Sequence, residues 1–340
     1  MKISVLICAY DRKKFLSQAI DSVLSQDVSR NDFEIVVVKN FSDSLLDKLL
    51  EDKAIKNIIS ERKLLGEFLL SGIVECQGKY VAFLDDDDLW VQGKLSRLLR
   101  LIDNFPDLGY YHNLVSPIDE MGRTPEMVRI FERVDSGKYS ASFGFFDQNS
   151  KISKLKTIFK SFPDFNNSSI AVRKDILLSV KEFLRKIPQS LDSFVFFSSL
   201  SSDCSIFLDD KKYTLYRHHT ANITGSLTSV RDEDWKENQR AMLQFLETYG
   251  LILDMIENGR KQLSLMEAKR RYFFTALLAD LVISNSDKRR IARNSLELLK
   301  VLKAYQTMLN LTSLVLALLY FVAPKFSISI TRRALAGDFL

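Results

Sequence analysis

Cysteine and histidine are both scarce in this chain, with three residues of each in 340. Cys8, Cys76 and Cys204 form an odd set without CxxC spacing, which argues against a disulfide framework and for a reducing, cytosolic setting. Of the histidines, His112 stands alone in the sequence, and a lone histidine is more often structural than a ligand. Excess charge is also lacking: a net +5 is too mild to imply a nucleic-acid partner. There is no internal repeat and no low-complexity tract. The first apolar run lasts about eight residues before Asp11–Arg12, too short and wrongly flanked for a signal peptide, and it reads as a first strand. The most apolar stretch, Met308–Ala323, would span roughly 24 Å as a helix, short of the ~30 Å hydrocarbon core.

What remains is an ordinary globular composition, 46% hydrophobic and 27% charged, with enough length for one large core and a smaller appendage. Ile3–Ala9, Phe33–Val38, Ile55–Ile59 and Tyr80–Leu84 read as strands. Between them Phe15–Leu24, Leu45–Leu50 and Gly66–Cys76 have helical spacing. This alternation predicts an α/β fold with a doubly wound, mostly parallel sheet. Lys94–Asp103 continues as an amphipathic helix. Past Gly109 the pattern is less regular, and Asp135–Asn167 yields no elements. Ser169–Val172 reads as a strand, Lys174–Leu184 and Leu191–Leu200 as helices, Ser205–Leu208 and Tyr213–Tyr216 as strands. A polar linker at Thr224–Asp234 precedes helical periodicity over Met242–Leu253, Glu267–Ile283 and Ile291–Tyr305. The domains expected are 1–223, a helical extension at 224–305 and an apolar helix with a basic tail at 306–340.

The chemistry concentrates at Tyr80–Trp90, where a buried strand runs straight into Asp85, Asp86, Asp87 and Asp88. Open α/β sheets bind ligands outside the carboxyl ends of their strands. Four adjacent carboxylates repel one another unless a cation sits among them. In an extended segment Asp85 and Asp87 point the same way and Asp86 elsewhere. Oxygen-only donors suit Mg²⁺ or Mn²⁺ bound together with phosphate oxygens.

Basic residues gather in the last third: Lys269–Arg271, Lys288–Arg290 with Arg293, and Lys325 with Arg332–Arg333. Flanked by Lys303 and these residues, Met308–Ala323 reads as an interfacial or membrane-embedded helix, a short span, or a buried core or oligomer helix.

Taken together, ISVLICAYDRKKFLSQAIDSVLSQ, FEIVVV, GKYVAFLDDDDLW, SSIAVRKDIL and YRHH resemble, in order and spacing, the family 2 glycosyltransferases of the GT-A (nucleotide-diphospho-sugar transferase) fold. The resemblance covers about Met1–Asn222. It implies transfer of a sugar from a nucleotide-sugar donor to an acceptor hydroxyl, usually with inversion. By the family's DxD pattern Asp87 is the metal ligand, with Asp85 and Asp86 contacting ribose or metal. The nucleotide sugar is expected against Cys8, Ala9, Tyr10 and Asp11. Tyr10 either packs on the base or belongs to the core. Asp192 in SLDSF matches the family's base, with Asp203 as second choice. The YRxH pattern turns His219 toward the metal and diphosphate. Arg217 pairs with phosphate or with Asp209 or Asp210.

Two positions depart from the pattern. The family usually ends its second strand in two aspartates, and here Lys39 and Asn40 stand in their place. Lysine has no acceptor for a base N–H. Either Asn40 reads the base, or the base presents acceptors, or Lys39 serves phosphate. The family's diphosphate-binding arginine aligns with Leu69, with Arg62 or Lys63 as substitutes from the preceding loop. The function expected is a metal-dependent, inverting glycosyltransferase at the cytosolic face of the cell membrane. Its acceptor would be a lipid-linked or surface glycan, on a membrane surface and with no nucleic acid involved. A polyprenyl-phosphate sugar synthase and a non-catalytic scaffold of glycan assembly are the alternatives.

Overall fold

The computed structural model describes residues 1–125, 137–219, 232–259, 262–282 and 287–302. It divides into two compact units, Met1–His218 and His219–Leu340.

In the first unit β1 (Ile3–Ala9), β2 (Phe33–Lys39), β3 (Lys56–Ile59) and β4 (Tyr80–Asp85) pair in parallel, in the order β3-β2-β1-β4. The apolar runs of β1, β2 and β4 are buried on both faces, as a parallel sheet requires. The intervening helices α1 (Leu16–Leu24), α2 (Ser44–Asp52) and α3 (Leu65–Ile73) each bury one stripe, such as Leu16, Ala19, Ile20 and Val23 of α1. Each fully buried aliphatic side chain contributes about 1.5–3 kcal/mol.

Beyond β4 the sheet is mixed. Among the described residues it continues through β8 (Ile170–Arg173), β6 (Leu108–Ile118) and β9 (Ser205–Arg217) to β5 (Leu89–Trp90), while β7 (Gly144–Phe146) also pairs with β9. β8 runs antiparallel to both β4 and β6, and β6 and β9 are parallel to each other. The sequence reads β9 as two strands because its register shifts against β6 between Asn113 and Val115, where Asp210 and Lys211 are exposed. β6 escapes the reading altogether: His112 and Asn113 interrupt its apolar pattern yet are buried.

The segment 137–169 holds three 3-10 turns and the short helices α5 (Gln148–Ser153) and α6 (Leu155–Ile158). The single helix expected over Lys174–Leu184 is instead two, α7 (Lys174–Ser179) and α8 (Lys181–Leu184). α4 (Lys94–Asn104) follows Gly93, whose left-handed φ of 92° turns the chain out of β5. α9 (Leu191–Ser201) is buried nearly all round: Phe196 packs edge-on against Tyr110 and Phe159, and Ser198 and Ser199 donate back to carbonyls one turn earlier.

The second unit carries α10 (Asp232–Gly259), α11 (Gln262–Val282) and α12 (Lys288–Leu302). Asp280 of α11 accepts from Asn294 and pairs with Arg290 of α12. The expected Met308–Ala323 helix lies outside the described residues. Among those described, no helix is long and apolar enough to cross a membrane.

Candidate functional site at the carboxyl rim of the sheet

Parallel pairing brings the carboxyl ends of β1, β2 and β4 to one rim, with Ala9 opposite Lys39 and Cys8 opposite Asp85. Ala9 is fully buried. The Cys8 thiol is pushed well up, first by burial and then by Asp85 and Asp86, so it stays a neutral wall beneath the carboxylates. Tyr10 is 39% exposed at the rim, and its ring packs edge-on against Phe68 at 5.4 Å. Asp11 takes a left-handed φ of 55°. Its backbone N–H donates to Asn40 Oδ1 at 2.8 Å, and Asn40 Nδ2 donates to Asp11 Oδ1 at 2.7 Å. This reciprocal pair ties the loop after β1 to the end of β2.

Lys39 turns the other way. Its side chain is fully buried, donates to the Phe41 carbonyl and pairs with Asp47 of α2 at 2.8 Å. The ammonium therefore holds α2 to the sheet, which disfavours the expected nucleotide or phosphate contact. Leu69 is buried in α3. Arg62, its expected substitute, is exposed and lies 3.9 Å from Glu67.

Asp85 ends β4, and Asp86 and Asp87 form a turn rather than continuing as strand. Oxygens of Asp85, Asp87 and Asp88 lie within 4.8 Å of one another, a group that leaves Asp86 out. The chain turns at Asp86 and Asp87 where an extended segment was expected, so strand alternation does not set how these carboxylates face. Asp86 faces Arg12 instead. Arg12 Nη2 is 2.7 Å from Asp86 Oδ1, and Arg12 Nη1 is 2.8 Å from Asp87 Oδ2. Burial and the charge of Asp87 nevertheless raise Asp86 to about 7, against the pull of Arg12. Asp85 is pushed well up by burial and by its three neighbours.

Asp88, which the family pattern does not single out, anchors the turn. It accepts from Asn166 Nδ2 at 2.8 Å, Ser168 Oγ at 2.7 Å and the Arg217 backbone N–H at 2.9 Å. Burial and Asp87 still raise it to about 7. Behind it Lys94 is fully buried, donates to the Ser168 carbonyl and Thr214 Oγ1, and stands over the Trp90 ring at 4.3 Å. Burial lowers its pKa well below the usual lysine range, with Asp88 opposing. Arg217 turns inward, while Asp209 and Asp210 lie beside Arg97 and Lys211. It is 1% exposed and donates to the carbonyls of Asp87, Asp119 and Glu120 and to Gln18.

Asp192 sits in the first turn of α9, partly exposed, accepting from the Ser193 N–H at 2.8 Å. Ser193 Oγ donates to Asp164 at 2.7 Å. Asp164 belongs to the same loop as Asn166 and Ser168, so one short segment links the acidic turn to the start of α9. Asp203, the second choice, lies past the other end of that helix beside Gln148. His112 is structural: it is buried, and its Nε2 is 2.8 Å from the Phe165 carbonyl, with its pKa lowered by burial to about 4. His219 is buried and follows Arg217, the last residue of β9, by two positions.

These residues fit a hard divalent cation. The donors are all carboxylate oxygens, and the raised pKa values of Asp85 and Asp88 mark charge that the protein does not fully offset. Asp86 Oδ2, Asn166 Oδ1 and Asn167 Oδ1 are buried acceptors without a hydrogen-bond partner. A cation, or donor groups of a ligand, would satisfy such atoms, which are costly to leave unpaired.

Similarity to known proteins agrees with this geometry. An uncharacterized glycosyltransferase of Nostoc sp. is 38% identical over 120 residues, 34% of this chain and 37% of that protein. The GalNAc(5)-diNAcBac-PP-undecaprenol beta-1,3-glucosyltransferase of Campylobacter jejuni is 33% identical over 118 residues, 33% of this chain and 36% of that one. The chain thus spans about a third of the length of these curated relatives. In fold it is similar to the mannosyltransferase PcManGT of Pyrobaculum calidifontis, solved with GDP-Man and Mn²⁺. The TM-score is 0.54 at 14% identity, covering 99% of this chain and 86% of that one. The sheet and its helices are therefore GT-A-like. The glycosyl transferase family 2 model matches residues 4–177, just over half of the sequence, and the chain belongs to that family.

Proposed function

We propose that the protein is a metal-dependent, inverting glycosyltransferase that moves a sugar from a nucleotide-sugar donor to an acceptor hydroxyl. The observation that carries this reading is the acidic turn at the carboxyl rim, three carboxylates within 4.8 Å of one another beside orphaned buried acceptors. Asp85 and Asp87 would hold Mg²⁺ or Mn²⁺, with Asp88 as a further candidate. Such an ion offsets the negative charge that develops on the departing diphosphate. Tyr10 offers an exposed ring for the base, and the Asp11–Asn40 pair flanks it.

Asp192 is the base that takes the proton from the acceptor hydroxyl. Its mount suits that role, because α9 is locked in the core and an N-terminal first turn favours the carboxylate. A rigid base holds its geometry during attack on the face of the sugar opposite the diphosphate. Asp164 and Ser193 position that turn relative to the acidic turn.

For the acceptor we favour a lipid-linked or surface glycan at the cytosolic membrane face. α12 supports this, exposing Arg289, Arg293 and Lys300 beside Leu296 and Leu299. Basic residues next to apolar ones suit an anionic interface. The Campylobacter relative is named for an undecaprenol-linked substrate.

The test is a thermal-shift panel of nucleoside diphosphates with and without Mn²⁺, followed by donor hydrolysis. Stabilisation of about 2.7 kcal/mol is expected at a hundredfold excess over the dissociation constant. A protein that binds no nucleoside diphosphate under any condition is instead the non-catalytic scaffold.

A further inference from the structure

Arg12 is the residue that the reaction as described leaves unused. It lies one residue past the Tyr10–Asp11 loop, and its guanidinium bridges Asp86 and Asp87. Two other cations stand by the turn, but neither can leave. Arg217 is 1% exposed and bound to three carbonyls, and Lys94 is fully buried behind Ser168. The Arg12 side chain is 35% exposed, so it reaches solvent at the mouth of the site. It can turn without opening the core.

We infer that Arg12 is a two-position guanidinium, paired with Asp86 and Asp87 while the donor is absent and turned onto the donor's diphosphate when it is bound. This rests on the glycosyltransferase reading and adds a residue to it. A planar guanidinium fork donates to two carboxylate oxygens or to two phosphate oxygens. In the donor-free state the acidic turn needs a positive charge, because Asp86 and Asp88 are buried among like charges. Once a divalent cation shares Asp87, the pull on Arg12 weakens, while the diphosphate brings two or more negative charges to the same rim. The arrangement also answers the buried Leu69: the guanidinium missing from α3 is available from the loop after β1.

One substitution then has two opposed effects. Removing Arg12 takes away a cation that competes for Asp87, so metal alone should bind more tightly. It also removes a phosphate donor, so the diphosphate should bind less tightly. Full-length wild type, Arg12→Gln and Arg12→Lys are titrated with Mn²⁺ alone, then with uridine diphosphate and guanosine diphosphate at saturating Mn²⁺. Circular dichroism confirms that each variant is folded. Arg12→Gln is expected to bind Mn²⁺ about threefold or more tightly and the diphosphate that wild type binds roughly tenfold to a hundredfold more weakly. Arg12→Lys, which keeps the charge and loses the fork, should fall between wild type and Arg12→Gln on diphosphate. If both affinities fall together, or diphosphate affinity stays within twofold of wild type, Arg12 only holds the turn and the inference is overturned. Wild type that binds neither diphosphate overturns the glycosyltransferase reading, and the role of Arg12 with it.

Discussion

The two ends of the nucleotide rim handle polar groups in opposite ways. At the end of β2 every side chain is matched inside the protein: Lys39 with Asp47 and the Phe41 carbonyl, Asn40 with Asp11 in both directions. At the end of β4 four carboxylates crowd together, Asp86 Oδ2 has no partner, and carboxyl pKa values rise toward neutrality. Stable folds pair their buried polar groups. A place where they are left unpaired is therefore prepared for something from outside, and a place where they are closed is holding the scaffold. The end of β4 is accordingly the candidate for binding, and Lys39 braces α2 against the sheet.

Asp87→Asn should break the β4 side most completely. Mn²⁺-dependent nucleotide binding and sugar transfer are both expected to fall below detection, while the fold persists because repulsion in the cluster drops. Calorimetric titration with nucleoside diphosphate, with and without Mn²⁺, checks this. Unchanged affinity would remove the metal site from the acidic turn.

Asp192→Asn separates binding from chemistry. The amide can still accept the Ser193 N–H but cannot take a proton, so transfer should fall roughly 10²–10⁴-fold with donor affinity unchanged. Weak donor binding together with substantial residual transfer would place the base elsewhere.

The pH dependence of stability tests whether the crowding is real. Asp86 and Asp88 are raised to about 7, so the folded protein keeps protons that the unfolded chain releases near the ordinary aspartate value. Their contribution is complete below that value and is lost as the pH rises through about 7. His112, lowered to about 4, works the opposite way: the folded protein refuses a proton that the unfolded chain takes below its ordinary value. Asp85 is raised too, so the carboxyls outweigh the one histidine, and the melting temperature in EDTA should decline as the pH rises from about 4 to about 7. Asp88→Asn should flatten that decline, and Mn²⁺ should raise the melting temperature most above pH 7, where the carboxylates are ionised. A metal-free melting temperature that climbs steadily to pH 8 would contradict the crowding.

Lys39→Met carries the smallest effect and sharpens the β2 side. Asp47 remains partly in water, so the loss of stability should be only about 1 kcal/mol, read from urea unfolding. Nucleoside diphosphate affinity should stay within twofold. A large drop in affinity would return Lys39 to the binding surface.

Much of this architecture was legible in the residues because the relevant forces are local. Ile3–Ala9, Phe33–Val38 and Tyr80–Leu84 declare themselves as buried strands by unbroken apolar runs, and Asp85–Asp88 by adjacency. Asp192 was legible only through a family pattern. Arg12 gave no local signal, since its partners lie more than seventy positions away. Asn166 was hidden in a stretch with neither helical nor strand periodicity, and Ser168 opens SSIAVRKDIL without any sign of its bond to Asp88.

The order of residues by itself determined that parallel strands would deliver a carboxylate cluster to the rim of an α/β sheet. Apolar runs must be buried, and a run that ends in charge ends at water. Which charge meets which was decided by the tertiary structure alone. Lys39 turns inward to Asp47, Arg217 and Lys94 become buried props, and Arg12 stays at the mouth between Asp86 and Asp87. The sign of a side chain is written in its own position, but its partner, burial and pKa come from elements distant in the chain, which only folding brings together.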